Sequence, residues 1–324
     1  MIAWSKLQNP VISFRYISLK DQCMTFDQKQ DLFYILSSIS FRNTTKQKDR
    51  NSLVFVTKDF LNIRPVEIPY YGSSPDISFV PHFQKDLFYI TFQSRYFHPN
   101  PRIDKVYKLI CDLFRIRQIY INKRTDLDLC YDPISRDFSM ATFWKWIPSR
   151  TIDGSLLFLE PKFYLVFKRW QRPYISTSYF LISWSKPQKL NLSIEGRTNQ
   201  WGENFQLLRS KERIFLVATV RKPGIKITNP YTDNLWPAIG EKEIKEFHKD
   251  PLSWNLRFID IPKESWNQNL VANTISIYDH SRVDGFYYAL YSGGNDTESF
   301  LGRGHNSIGI ARSQDLVTWK TPPN

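Results

Sequence analysis

The chain has 324 residues, and 44 Lys and Arg against 31 Asp and Glu leave a formal net charge of +13. An apolar fraction of 42% supplies a sizeable core and a charged fraction of 23% is ordinary, which excludes a disordered chain or a coiled coil. No apolar stretch approaches the roughly 18 residues a membrane-spanning helix needs. Met1 to Lys6 lack a basic segment followed by an apolar one, so no secretory signal is expected. A cytoplasmic chain and an exported chain whose leader has been removed read alike here. Aromatics reach 16% while glycines number only 12, which favours strands over phosphate-cradling loops. Cys23, Cys111 and Cys130 show no CxxC spacing, so reduced, buried thiols are expected rather than a disulfide framework or a zinc site.

Self-similarity organises the chain. Gln30-Asp31-Leu32-Phe33-Tyr34-Ile35 recurs almost letter for letter as Lys85-Asp86-Leu87-Phe88-Tyr89-Ile90. Weaker echoes follow at Lys162-Phe163-Tyr164-Leu165, Arg213-Ile214-Phe215-Leu216 and Gly285-Phe286-Tyr287-Tyr288. Aligning Tyr34, Tyr89, Tyr164, Phe215 and Tyr288 gives spacings of 55, 75, 51 and 73 residues. Each unit opens with an apolar run such as Ile77-Ser78-Phe79-Val80, passes a polar turn such as Asp284-Gly285, and continues into the aromatic strand. A third strand then ends in a Ser/Thr-x-Asp-Leu corner, seen at Thr57-Lys58-Asp59-Phe60-Leu61 and Ser313-Gln314-Asp315-Leu316. Asp250-Pro251-Leu252-Ser253-Trp254 and Ser183-Trp184-Ser185 read as further copies. Five units of about four strands predict an all-β, five-bladed β-propeller forming one domain over residues 1–324, with blades beginning near 21, 76, 153, 203 and 275. The Phe-Tyr pairs are expected to be buried second strands.

In a propeller the first strand of each blade lines the channel. Asp21 lies 13 residues before Tyr34, Asp76 13 before Tyr89, Asp153 11 before Tyr164 and Glu203 12 before Phe215, whereas the fifth unit offers Ile275 and Ser276. Like charges around one channel repel and resist desolvation, so the set points to chemistry or a bound cation. Glycosidic cleavage uses two such groups, one acid and one base, and a third carboxylate tunes the acid.

At these positions the sequence resembles glycoside hydrolase family 43, the five-bladed arabinanase and xylosidase clan. The motifs that carry the resemblance are Lys20-Asp21-Gln22-Cys23, Ser74-Pro75-Asp76-Ile77, Ile152-Asp153-Gly154-Ser155 and Glu203-Asn204-Phe205-Gln206. Tyr287-Tyr288-Ala289-Leu290-Tyr291-Ser292 and Ile308-Gly309-Ile310-Ala311-Arg312-Ser313 add to them. The resemblance implies that Asp21 is the general base, Asp153 the pKa modulator and Glu203 the general acid, kept protonated by burial and by Asp153. It also implies that Asp76 lies at the substrate without belonging to the catalytic three. Glu195 is a rival for the acid, but its distance from Phe215 favours Glu203. The family's usual prolines are absent after Asp21, Asp153 and Glu203. Val271-Ala272-Asn273-Thr274 stands where members often carry a channel histidine, so neither a metal nor a cofactor is expected. The short segment before Asp21 leaves little room for a ring-closing strand.

The implied reaction is hydrolysis of an oligo- or polysaccharide by single displacement with inversion, with the two carboxyls about 6.5–9.5 Å apart. Trp170 and Trp201 are candidate sugar platforms. Two other readings stay open: a carbohydrate-binding or scaffold propeller without catalysis, and a basic propeller that binds polyanions. Lys105, Lys108, Arg115, Arg117, Lys123 and Arg124 carry the last, with Arg115 and Arg117 alternating as on a strand, although a solvated outer blade edge accounts for them. Nucleic acid and membrane are not expected as partners. The histidines His82, His98, His248, His280 and His305 show no zinc-binding spacing.

Overall fold

In a computed structural model, the chain is described over residues 2–14, 17–41, 51–70, 72–80, 87–94, 100–113, 117–124, 138–140, 150–170, 172–199, 201–221, 235–268, 274–294 and 306–323. Cys130, His82, His98, His305, Arg115 and Val271 to Asn273 lie outside the described residues.

A short strand, β1 (Ile12–Ser13), precedes the first blade, which comprises β2 (Ile17–Asp27), β3 (Leu32–Phe41), β4 (Asn51–Thr57) and β5 (Arg64–Tyr70). Blade 2 is β6 (Ser73–Val80), β7 (Leu87–Ser94), β8 (Gln118–Arg124) and β9 (Phe138–Met140), with helix α1 (Pro101–Leu113) between β7 and β8. Blade 3 is β10 (Thr151–Leu159), β11 (Lys162–Arg169), β12 (Arg172–Ser178) and β13 (Gln188–Lys189). Blade 4 is wider than the four strands expected. β14 (Asn191–Ile194) and β15 (Arg197–Asn199) join the outer edge of β16 (Glu203–Ser210), β17 (Arg213–Arg221), β18 (Leu235–Glu243), α2 (Ile244–Lys249) and β19 (Ser253–Phe258) through a parallel β14–β19 pairing. Blade 5 is β20 (Ile275–Asp279), α3 (Ser281–Asp284), β21 (Tyr287–Gly293) and β22 (Ser307–Ser313).

Ring order follows from the inner strands, which touch in the sequence β2, β6, β10, β16, β20 and back to β2. Closure corrects one expectation. The amino-terminal segment is long enough for β1 to pair with β22, Ile12 opposite Ile308 and Ser13 opposite Ser307. Asn9 extends that seam: its Nδ2 donates to the Ile310 carbonyl (3.1 Å) and its Oδ1 accepts from the Ile310 N–H (2.9 Å). Apolar faces meet between blades. Leu157, Tyr164 and Val166 pack on Phe205, Leu207 and Leu216, while Leu19, Phe33 and Phe55 pack on Tyr288, Leu290 and Ile308. The aromatic markers are buried second-strand residues, as expected. Cys23 and Cys111 are buried free thiols, and burial raises Cys23 well above the usual thiol range.

Three local readings change. Asp284-Gly285 is not a two-residue hairpin. It closes α3, with Gly285 in the left-handed region at φ 83°, where glycine carries no Cβ penalty. In blade 3 the corner opens at Ser178 rather than Ser183: Ser178 Oγ accepts from the Leu181 N–H (2.9 Å), as Thr57 does from Phe60 and Ser313 from Leu316. Phe60, Leu181 and Leu316 share a left-handed φ of 61–63°. The basic stretch also differs: Lys105 and Lys108 lie on α1, and Lys123 and Arg124 end β8.

Candidate active site

Each inner strand of blades 1 to 4 breaks register once near its start. The breaks fall between Lys20 and Cys23, Ser73 and Asp76, Ile152 and Ser155, and Glu203 and Gln206. The first extra residue is left-handed in every case: Asp21 (φ 49°), Ser74 (49°), Asp153 (55°) and Asn204 (52°). Such bulges re-aim side chains, and short polar residues tolerate this backbone best. All four bulges border one cavity, together with Thr274, Ile275 and Ser276 of blade 5.

The register revises the equivalence read by counting. Ser74, not Asp76, matches Asp21 and Asp153, and Glu203 stands one residue before the bulge residue Asn204. Counting back from the aromatic strand fails because the intervening hairpins differ in length.

Asp21 and Asp153 both line the cavity and are buried. Asp21 Oδ2 accepts from Ser74 Oγ (3.0 Å) and lies 3.7 Å from Lys20 Nζ. The backbone N–H of Asp153 donates to Gln93 Oε1 (3.0 Å), and the Gln93 amide donates to Ser73 and Ser74. Burial pushes the Asp153 carboxyl up to about 6; the charges of Glu203 and Asp21 add to that, while Lys168 and Lys20 oppose it. Asp153 of blade 3 therefore senses the carboxylates of Asp21 in blade 1 and Glu203 in blade 4, although they are far apart in sequence.

Glu203 does not sit as expected. Its side chain keeps 23% exposure, and its Oε2 lies 2.6 Å from Nζ of the buried Lys168. Burial falls on Asp153 instead. Lys168 stands opposite Ile152 on β11, next to the bulge that carries Asp153. The rival Glu195 occupies the exposed β14–β15 turn, outside the cavity lining.

Asp76 borders the cavity but turns its carboxyl into the blade 2–blade 3 seam. There the Ser155 side chain and the Ile77 and Leu156 backbone bond to it. Those bonds hold its carboxyl down, yet burial outweighs them and raises it to about 7. Trp170 lies at the β11–β12 turn, at the same end of the blade as Asp153, 52% exposed and with its backbone N–H donating to the Arg150 carbonyl (3.0 Å). Trp201 differs from an open platform: Lys168 Nζ and the Arg221 guanidinium each lie 4.8 Å from its ring centre.

Sequence reasoning missed the side chains that staple neighbouring blades. Gln22 Nε2 donates to the Thr274 and Leu290 carbonyls (2.8 and 2.9 Å). Gln206 exchanges two 2.7 Å bonds with the backbone of Ile277. Thr91 donates to the Gly154 carbonyl (2.6 Å), and Ser155 accepts from the Leu207 N–H (2.8 Å). Gly154 itself is required by close approach, since a Cβ would stand 2.7 Å from Ile119 Cδ1. Among the described residues, no group of three or more His, Cys, Asp and Glu is placed to hold a metal ion, and no helix is long and apolar enough to cross a membrane.

Fold and cavity together define a five-bladed β-propeller with acidic side chains around the mouth of its channel. The sequence matches no family model and no curated protein. Solved structures share the architecture over nearly the whole chain. An α-L-arabinofuranosidase from Lactobacillus brevis is 15% identical with a TM-score of 0.62, covering 98% of this chain and 97% of that one. An exo-1,5-α-L-arabinanase from a bovine ruminal metagenomic library is 15% identical at 0.54, covering 95% and 96%. A third comes from the GH130 family of mannoside phosphorylases, described as containing glycoside hydrolases that target β-1,2 mannosidic linkages in Candida mannan. It is 12% identical at 0.63, covering 98% and 95%. The likeness is one of fold.

Proposed function

We propose that the protein is a glycoside hydrolase of the family 43 type, acting by inversion. The observation that carries this reading is the placement of Asp21 and Asp153 on one cavity, with Glu203 on the neighbouring inner strand beside the bulge residue Asn204 that borders it. The glycosidases that share the fold support it.

Asp21, held by Ser74, takes a proton from water as the water oxygen attacks the anomeric carbon. The carbon–oxygen bond to the leaving sugar breaks, and that oxygen takes a proton from Glu203. Asp153 sets the charge around Glu203, with Lys168 holding the glutamate in place. The exposed Trp170 offers a sugar-stacking surface at the rim.

A second reading has support of its own. Of the three proposed catalytic carboxyls, Asp153 is the one that keeps its proton up to about pH 6, whereas Glu203 is ion-paired, so Asp153 is the competing proton donor.

The test is hydrolysis of aryl and alkyl glycosides by the wild type, Asp21→Asn, Glu203→Gln and Asp153→Asn, with the product anomer read by NMR. Loss of the base costs about 10²–10⁴-fold on every substrate. Loss of the acid costs far more on alkyl than on dinitrophenyl glycosides, whose leaving group needs no proton. That pattern in Glu203→Gln favours the first assignment, and in Asp153→Asn the second. Full activity in Asp21→Asn overturns both.

A further inference from the structure

The rim beside Glu203 carries three arginines, Arg169, Arg172 and Arg221, that no carboxylate among the described residues neutralises. Arg169 and Arg172 stand directly opposite each other across the β11–β12 hairpin, where facing like charges destabilise a sheet. Among the described residues neither has a carboxylate partner, and neither does the exposed Arg221 at the end of β17. Arg169 also faces Thr151, two residues before Asp153, which is about 7 Å at the usual rise of a strand. Arg221 and Lys168 share the ring of Trp201, and Lys168 reaches Glu203. An arc of cations thus leads from the blade 3 rim to the proposed acid, with Trp170 between Arg169 and Arg172 in the chain.

We propose that this arc is a binding site for an acidic group on the sugar next to the cleaved bond, so that the substrate is an acidic glycan. The proposal rests on the glycosidase reading and names its substrate class. Guanidinium forks match carboxylates and ester oxyanions in two-point contacts, and Trp201 holds the Arg221 plane in position. The arc also offsets the repulsion that Asp21, Asp153 and Glu203 would exert on an anionic ligand. It leads into the channel and so suits a saccharide chain entering the cavity.

The test is affinity electrophoresis of the full chain through gels containing polygalacturonate, dextran sulfate, linear arabinan or polyuridylate, repeated with Arg172→Ala, Arg221→Ala and the double variant. Circular dichroism checks that each variant is folded. The expected result is at least about tenfold tighter binding of polygalacturonate or dextran sulfate than of arabinan, with at least about a tenfold loss in the double variant. Which of the two acidic glycans binds more tightly separates a carboxylate from a sulfate ester. Equal binding of arabinan, a loss under about twofold in the double variant, or tighter binding of polyuridylate than of both glycans each overturns the proposal. Variant-sensitive acidic binding without hydrolysis of any glycan sinks the hydrolase reading and leaves the acidic ligand standing. Hydrolysis with no acidic preference does the reverse.

Discussion

Asp76 makes a measurable prediction because its carboxyl is only 6% exposed and rises from 3.8 to about 7. Between those values the folded chain keeps a proton that the unfolded chain has released. The folded state therefore binds more protons, and stability falls as pH rises through that window. Three pH units at about 1.36 kcal/mol each amount to about 4 kcal/mol lost between pH 4 and 7. From pH 5 to 8 the Asp76 share is about 3 kcal/mol, and Asp153, titrating near 6, adds about 1 kcal/mol. Asp76→Asn carries no charge at any of these pH values, and its amide oxygen still accepts from part of the Ser155, Ile77 and Leu156 donor set. Urea unfolding at pH 5 and 8 reads the effect as a double difference, which cancels the background of surface charge. The variant should gain about 3 kcal/mol on the wild type between the two conditions. A double difference below about 0.5 kcal/mol, or one of opposite sign, refutes the reasoning.

Three further outcomes are expected. Lys168→Met removes an ammonium that holds the Asp153 carboxyl down, so the kcat/KM limb near pH 6 should move up by about one unit or more; an unmoved limb assigns it to another group. Asn9→Ala removes both bonds to Ile310 and the one to the Tyr291 hydroxyl at 3.0 Å, costing about 2–4 kcal/mol and several degrees in thermal melts. Gly240→Ala would place a Cβ 2.9 Å from the Asn255 carbonyl oxygen and 2.7 Å from Leu256 Cδ2, destabilising by about 1–3 kcal/mol in urea titrations.

The propeller was legible because each second strand must be buried between blades. Phe33-Tyr34 and Phe88-Tyr89 therefore repeat as a fold requirement. The polar mouth of the channel was read less well. Counting from Tyr34 and Tyr89 gave Asp21 and Asp76 the same offset, yet the β6–β7 connection is two residues longer in register, and Ser74 takes the bulge. The adjoining glutamines gave no signal, because nothing in composition distinguishes a solvated Gln22 from one bonded to two carbonyls of the neighbouring blade. β1 was missed because two residues carry no periodicity; its partner β22 and the Asn9 side chain define it. The cation pair on Trp201 had no local signal, since Lys168 and Arg221 come from different blades.

The left-handed kink at the head of each inner strand recurs with aspartate, serine, aspartate and asparagine in blades 1 to 4. Those side chains are short and polar, so the conformation that suits them also delivers reactive groups to a shared vestibule. The backbone works as a row of interchangeable sockets, and exchanging one occupant alters the reagent set without redrawing the β framework. Asn204 differs from an additional acid by one amide, which makes that socket the simplest place to rewrite the ring's chemistry.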